Sequence, residues 1–234
     1  MPMVLSVAVI ICAYLMGSIP TGLLIVKFSK GVDIRRIESG RTGGTNAMRA
    51  GGFWIGFTTA VLDLLKSAGS VWLARGLVPG VIWLEIAAPI MAILGHNYSI
   101  FMVERGEKGG IRFHGGAGGA PTAGGAIGLW FPSLLFIVPV AAGILYFIGY
   151  ASVATMSIAL TTIVIFAIRA WLGLSPWEYV LYGLIAEAML IWALRPNIQR
   201  LASGTERLVG YRAKRRRNDP GYSTSSSSTS SESS

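Results

Sequence analysis

The chain has 234 residues, of which 53% are hydrophobic and only 13% charged, with a mean hydropathy of +0.58 and a formal net charge of +9. Average soluble domains carry about a quarter charged residues, and several apolar runs here exceed the roughly 18 residues that cross a bilayer, which excludes a soluble class. The one cysteine, Cys12, lies in the first apolar run and excludes an intramolecular disulfide or a thiolate metal cluster.

Val4 to Val26 contains no acid or base, no positively charged region precedes it and no small-x-small cleavage site follows, so a first membrane span is expected rather than a removable signal. Further apolar segments run near Trp54 to Ala74, Val81 to Val103, Gly124 to Ile148, Ala151 to Trp171 and Trp177 to Leu194, six in all by hydropathy. Trp54, Trp72, Trp83, Trp171, Trp177 and Trp192 fall near segment ends, as amphipathic rings at the headgroup level do. Residues 1–210 are thus expected as a membrane-embedded, all-α helical bundle. Residues 211–234 read as a tail, basic over Arg212 to Arg217 and then Ser-rich and disordered. Its five bases suit a topology signal or contact with anionic lipid.

Of the 20 Lys and Arg residues, 17 lie in Lys27 to Arg49, Arg105 to Arg112 and Arg195 to Arg217, so these segments are expected on the cytoplasmic side. The connection at Arg75 to Gly80 and the turn at Gly149 and Tyr150 are expected outside. This puts the N-terminus outside and the C-terminus inside, which requires an odd number of crossings. Seven are expected, with five as the alternative, because Pro132 and Pro139 interrupt one apolar run and short broken helices are tolerated where protein satisfies their backbone.

The first inward loop holds Gly40, Gly43, Gly44, Gly51 and Gly52, which free the backbone to turn its N–H groups toward one point. Ser39, Thr42, Thr45 and Asn46 add short polar side chains, and Arg41 and Arg49 add charge. A helix beginning near Thr45 and continuing into the second span would direct its positive end at a bound anion. Phosphate binding is the expectation, helix packing and topology being the other uses of such glycines and bases.

The second inward segment, Gly95 to Gly110, places His96 and Asn97 at a helix end before a turn with Lys108, whose flexible ammonium suits a phosphate. His96 fits a capping role as well as a basic one. The glycine-rich run after it, which carries His114, reads either as a mobile flap or as a slack connection. The third segment, Arg195 to Thr205, offers Asn197 as a neutral donor and acceptor. Asp63 and Lys66, one turn apart inside the second span, suit a self-neutralising pair, although a face turned to the cavity would let Lys66 bind phosphate. Glu187 is expected protonated or paired with a base such as Arg169.

The ordered motifs G-S-I-P-T-G from Gly17, D-I-R, S-G-x-x-G-x-T-N-x-x-R, L-D-L-L-K from Leu62, L-G-H with G-x-K-G, G-Y-A-S from Gly149 and N-I-x-R-L-x-x-G-T-E resemble the bacterial acyl-phosphate:glycerol-3-phosphate acyltransferase family over about residues 14 to 207. The resemblance implies a multi-pass enzyme of the bacterial inner membrane whose active site faces the cytoplasm. It would transfer a fatty acyl group from acyl phosphate to glycerol 3-phosphate, giving lysophosphatidic acid and phosphate. Carried over, Ser39, Gly40, Thr45, Asn46 and Arg49 fall on the first motif, Lys108 on the second, Ser152 on the G-Y-A-S signature and Asn197 on the third. Such a role for Ser152 requires the region near residue 150 to dip toward the inward cavity. The partners implied are the two substrates and membrane lipid, with no nucleic acid, no cofactor and no metal; the oligomeric state stays open, a monomer being compatible.

Three departures stand out: Arg41 and Thr42 replace the family's Asn and small aliphatic residue, Leu194 stands where a histidine is usual, and Gly110 to Gly125 interrupts the usual G-V-A-T continuation. Neither His96 nor His114 has an acid five positions on, since those places hold Phe101 and Gly119. The H-x4-D arrangement of soluble acyltransferases is absent, so proton removal falls to a substrate phosphate oxygen or to His96. An organic-phosphate transporter, or a non-catalytic protein of the same fold, remains the alternative.

Overall fold

A computed structural model describes residues 2–105 and 109–217. The chain is a helical bundle: α1 (Pro2–Ser18), α2 (Thr21–Lys30), α3 (Gly44–Gly51), α4 (Phe53–Leu77), α5 (Ile82–Asn97), α6 (Gly119–Leu129), α7 (Leu134–Phe147), α8 (Ala151–Trp171), α9 (Glu178–Ala202) and α10 (Gly210–Arg217). One short antiparallel hairpin, β1 (Val103–Arg105) with β2 (Ile111–Phe113), lies between α5 and α6. Three helical stretches are long and apolar enough to cross a membrane: Met3–Lys30, Ala151–Trp171 and Glu178–Ala202. α4 has 25 residues but carries Asp63, Lys66 and Arg75.

α6 is the packing centre. Pro121 to Leu129 are all buried, although the segment is mostly Gly and Ala. Small residues let neighbouring backbones approach, the usual way membrane helices gain dispersion contact without a hydrophobic driving force between them. A Cβ on Gly124 would strike the Leu64 carbonyl, one on Gly125 the Tyr182 hydroxyl, and one on Gly128 the Val71 side chain at 2.8 Å. Around α6, Val71, Ile86, Ile93, Ile137, Phe166, Tyr182 and Leu190 join α4, α5, α7, α8 and α9 into one core. α1 meets α5 in the same manner, through Gly17 against the Ala92 backbone and Gly95 against the Tyr14 carbonyl.

Several expectations are corrected here. The first apolar run is two helices, because Pro20 lacks an N–H and leaves a break after Ser18; Thr21 N instead bonds Ile19 O at 2.9 Å. The helix starting near Thr45 does not continue into the second span: it ends at Gly51, Gly52 turns the chain at φ 96°, and α3 folds back on α4 with Gly44 against Gly56 and Ala60. Gly110 to Gly125 is neither slack nor a flap, since it supplies β2 and most of α6. The run Gly124 to Ile148 is two helices parted at Trp130 to Ser133, the interruption expected at Pro132, whereas Pro139 lies inside α7 and does not break it. At 11 residues α6 is about 16 Å long, half the hydrocarbon thickness. Arg169 donates to Leu174 O at 2.9 Å and stacks on Trp130, so it is not the partner of Glu187.

The two ends of the bundle are held differently. At one end Arg75 reaches Glu85 Oε2 (2.8 Å), Gly128 O (2.8 Å), Leu129 O (3.0 Å) and the Tyr179 hydroxyl (3.0 Å), tying α4, α5, α6 and α9. The other end gathers the loop before α3, the hairpin, the start of α8 and the end of α9. There Val209 N donates to Gly149 O at 2.8 Å and Tyr150 bridges Leu208. The Gly149–Tyr150 turn therefore shares an end with the third basic segment, and its expected placement on the opposite face is corrected. Backbone pairing with the segment after α9 outweighs the local cue of an uncharged turn.

Candidate active site

The first loop is shaped by its own side chains. Asp33 accepts from Arg35 N at 3.0 Å and pairs with its guanidinium at 2.6 Å, starting a short 3-10 turn over Ile34–Arg36; that charge-assisted bond draws the Asp33 carboxyl down to about 2. Gly40 follows at φ +66°, where a Cβ would meet Arg35 O at 2.9 Å. Asn46, on α3, donates from Nδ2 to Ile34 O (3.3 Å), Ile37 O (3.0 Å) and Arg41 O (2.8 Å). Its amide nitrogen therefore holds the loop instead of facing a ligand. Thr42 N donates to Gly115 O at 3.2 Å, joining this loop to the strand leaving the hairpin.

These segments enclose a cavity of about 270 Å³ lined by Arg35, Ser39, Gly40, Arg41, Asn97, Tyr98, Arg112, His114, Gly116, Trp192 and Arg195, among others. Four arginines from three distant stretches of chain, Arg35, Arg41, Arg112 and Arg195, line it. The Arg41 guanidinium donates to Ala193 O and so links the loop to α9. Burial pulls its pKa down, as does the field of Arg200, with Glu206 acting in the opposite sense; a guanidinium stays charged regardless. Arg35 pairs with Glu104 on β1, Glu104 faces Arg112 across the hairpin, and His114 Nε2 lies 3.0 Å from Glu104 Oε2. The hairpin is thereby fixed as one wall of the cavity.

Beside the cavity lies a second polar centre on Glu206, which is 8% exposed. Its Oε1 accepts from Asn197 Nδ2 at 2.8 Å and from Ser152 Oγ at 3.5 Å, and its Oε2 accepts from Arg200 Nε at 2.9 Å. Ser152 and Asn197, 45 positions apart, thus meet on one carboxylate. Arg49 feels the same carboxylate, which raises its pKa against a larger lowering by burial.

The expected site residues divide accordingly. Ser39, Gly40, Arg41 and Asn97 line the cavity; Ser152 and Asn197 sit at Glu206, and Arg49 lies within its field. Gly43 caps α3 and Gly44 packs on α4, with Thr45 in its first turn, and none of these three lines the cavity. His96 stands behind the wall: its Nδ1 is 3.5 Å from Asp63 Oδ1, and a Cβ on Gly116 would strike its Nε2. Lys66 does not reach the cavity. Its ammonium lies 2.8 Å from Asp63 Oδ1 and donates to Gly17 O (3.1 Å) and Ile19 O (2.8 Å), so it serves one carboxylate and two carbonyls freed at the α1–α2 break. Lys108 lies outside the described residues. Arg35, Arg112, Arg195, Trp192 and Glu206 were not among the expected site residues. Glu206 was visible as the only acid in a segment otherwise rich in bases, whereas Arg112 carried no local signal.

Such a bundle, with apolar helices long enough to cross a membrane and arginines of three segments lining one cavity at one end, is that of an integral membrane protein. The chain belongs to the glycerol-3-phosphate acyltransferase family, whose model matches residues 7–204. A Moorella thermoacetica protein named glycerol-3-phosphate acyltransferase 2 is 38% identical, across 87% of this chain and 97% of its own length. A Thermus thermophilus glycerol-3-phosphate acyltransferase is 35% identical, across 92% of this chain and all of its own length. The fold is similar to crystal structures of PlsY (YgiH), an integral membrane glycerol 3-phosphate acyltransferase. Its glycerol 3-phosphate form has a TM-score of 0.76 at 30% identity, covering 88% of this chain and 96% of that one. Its lysophosphatidic acid form has a TM-score of 0.74 at 29% identity.

Proposed function

We propose that this protein transfers a fatty acyl group from acyl phosphate to the sn-1 hydroxyl of glycerol 3-phosphate, releasing lysophosphatidic acid and inorganic phosphate. The single observation that carries this reading is the convergence of Arg35, Arg41, Arg112 and Arg195 on one cavity beside the Glu206 centre. Two anionic reactants repel each other, and fixed cations at the rim offset that repulsion while holding the reacting atoms close. Proximity of that kind supplies on the order of 7 kcal/mol in favourable cases.

Acyl phosphate carries its own leaving group, so the attacking hydroxyl needs orientation more than a strong base. The glycerol oxygen attacks the acyl carbonyl, the new ester C–O bond forms, the acyl–phosphate C–O bond breaks, and the hydroxyl proton ends on a phosphate oxygen. A phosphate oxygen is the better base here because His96 is screened from the cavity by Gly116 and engaged with Asp63. Ser39, Arg41, Asn97 and the Asn197–Ser152 pair would contact the phosphates, with Arg49 and Lys108 adding charge. Arg41, linked to the carbonyl that precedes Leu194, supplies a cation where this chain lacks the family's histidine. The acyl chain would leave past Phe113 and Trp192, both largely exposed, into lipid.

The pocket end, rich in bases, faces the cytoplasm in this reading, and seven helical passages cross the inner membrane. The test is a two-substrate assay: purified protein given acyl phosphate and labelled glycerol 3-phosphate should make lysophosphatidate without coenzyme A, acyl carrier protein or metal. An organic-phosphate transporter would instead pass glycerol 3-phosphate into liposomes and form no product. Arg49→Ala and Lys108→Ala should slow phosphate release; equal release by wild type and both variants would remove the assigned site.

A further inference from the structure

The family match ends at residue 204, yet the chain continues into an ordered element with its own docking. α10 holds Arg212, Lys214, Arg215, Arg216 and Arg217 in eight residues. Three contacts seat it at the corner between α7 and α8. Val209 N donates to Gly149 O at 2.8 Å, the Tyr211 ring stacks on Tyr146 with centroids 5.2 Å apart, and Arg212 packs over Gly149, where an added Cβ would lie 2.8 Å from the Arg212 Cβ. The corner is also an apolar rim. Tyr146, Phe147, Ile148 and Tyr211 all expose large surfaces, at the end of a helix that is otherwise apolar throughout.

From this juxtaposition we propose that α10 is a binding site for anionic phospholipid headgroups, held at the bilayer surface by the aromatic rim at the foot of α7. Aromatic rings at the end of an apolar membrane helix lie at headgroup depth, which fixes the height of whatever is stacked on them. The Tyr146–Tyr211 stack therefore sets α10 at that depth, which brings its basic sequence to the level of the headgroup phosphates. Bases within a Debye length of an anionic surface are attracted to it, and this cluster is carried there by packing, with no search through solvent. The occupant is lipid, because the charges are continuous with an apolar rim that a bilayer covers, whereas an acidic soluble protein would require that rim to dehydrate separately. Glu206 lies four residues before Gly210, so a lipid-held α10 also steadies the segment that carries Glu206, on which Asn197 and Ser152 meet.

The test uses the full chain in nanodiscs, either of neutral phosphatidylcholine alone or with anionic phosphatidylglycerol added, and follows amide hydrogen exchange of the peptide spanning 208–217. Exchange is expected to be slower by about tenfold in the anionic discs, and the difference should vanish at high salt. The triple variant Arg215→Gln, Arg216→Gln, Arg217→Gln keeps the Tyr211 and Arg212 contacts; it should lose the difference while exchanging like wild type in neutral discs and keeping wild-type acyl transfer in detergent. Equal exchange in both lipid compositions overturns the proposal. So does equal protection by millimolar inorganic phosphate in neutral discs, or protection that appears only when a soluble acidic protein is added. Acyl transfer is read independently, so failure of this site and failure of the proposed reaction are separable.

Discussion

Glu206 Oε1 accepts a hydrogen bond from Asn197 Nδ2 at 2.8 Å, which leaves the oxygen of that amide pointing away from the carboxylate. Asn197 acts as a fixed donor and acceptor only as long as this bond holds.

Glu206→Ala should therefore lower stability by about 1–3 kcal/mol, because the donors of Asn197, Ser152 and Arg200 lose their common acceptor. Glu206→Gln keeps an acceptor at Oε1 and should recover part of that loss. Thermal unfolding of the two purified variants in detergent separates the outcomes, and identical melting by both and by wild type would contradict the assignment.

Arg41→Ala removes a cavity cation together with the link to Ala193 O. A drop in kcat/KM of about a hundredfold is expected, the size of a charge-assisted hydrogen bond to an anion. Arg41→Lys should restore charge but not the planar fork, leaving a defect mainly in the KM for the phosphorylated substrate. Initial rates over a range of glycerol 3-phosphate concentrations give the split.

Asp63→Leu should be among the most damaging single changes. It strands the buried Lys66 ammonium, and Thr21 and His96 lose their partner, a loss of about 3–5 kcal/mol for a broken buried pair. The double change with Lys66→Met should recover stability relative to Asp63→Leu alone. If the double variant proves no better than the single one, the pair is not what the carboxylate serves.

Gly124→Ala drives a methyl into the Leu64 carbonyl and should destabilise by about 1–3 kcal/mol, measured as a lower unfolding midpoint. Gly143→Ala, in α7 with no atom within 4 Å of the added Cβ, should be neutral or slightly stabilising. The pair is an internal control for packing at α6.

Local chemistry was legible in the sequence where one element decides it. α8 spans Ala151–Trp171, the extent its apolar run marks, because apolar residues of helical length need no distant partner to be recognised. α6 was not legible. A run of Gly, Ala, Pro and Thr has the composition of a loop, and it is helical because five other helices enclose it. The same holds at the site. Ser39, Gly40, Arg41 and Asn97 could be named from turns and charges, whereas Arg112 reaches the cavity only because Glu104 ties its hairpin to Arg35, a contact across 69 positions. Lys66 illustrates the converse: its charge drew it toward the substrate, but the carbonyls exposed at Pro20 claim it first.

Arg75 turns the bundle into a spring clip. Four helices are pinned together by one guanidinium at the end remote from the cavity, so the clasp at Arg75 and the jaws beside Arg41 and Trp192 lie at opposite ends of the bundle.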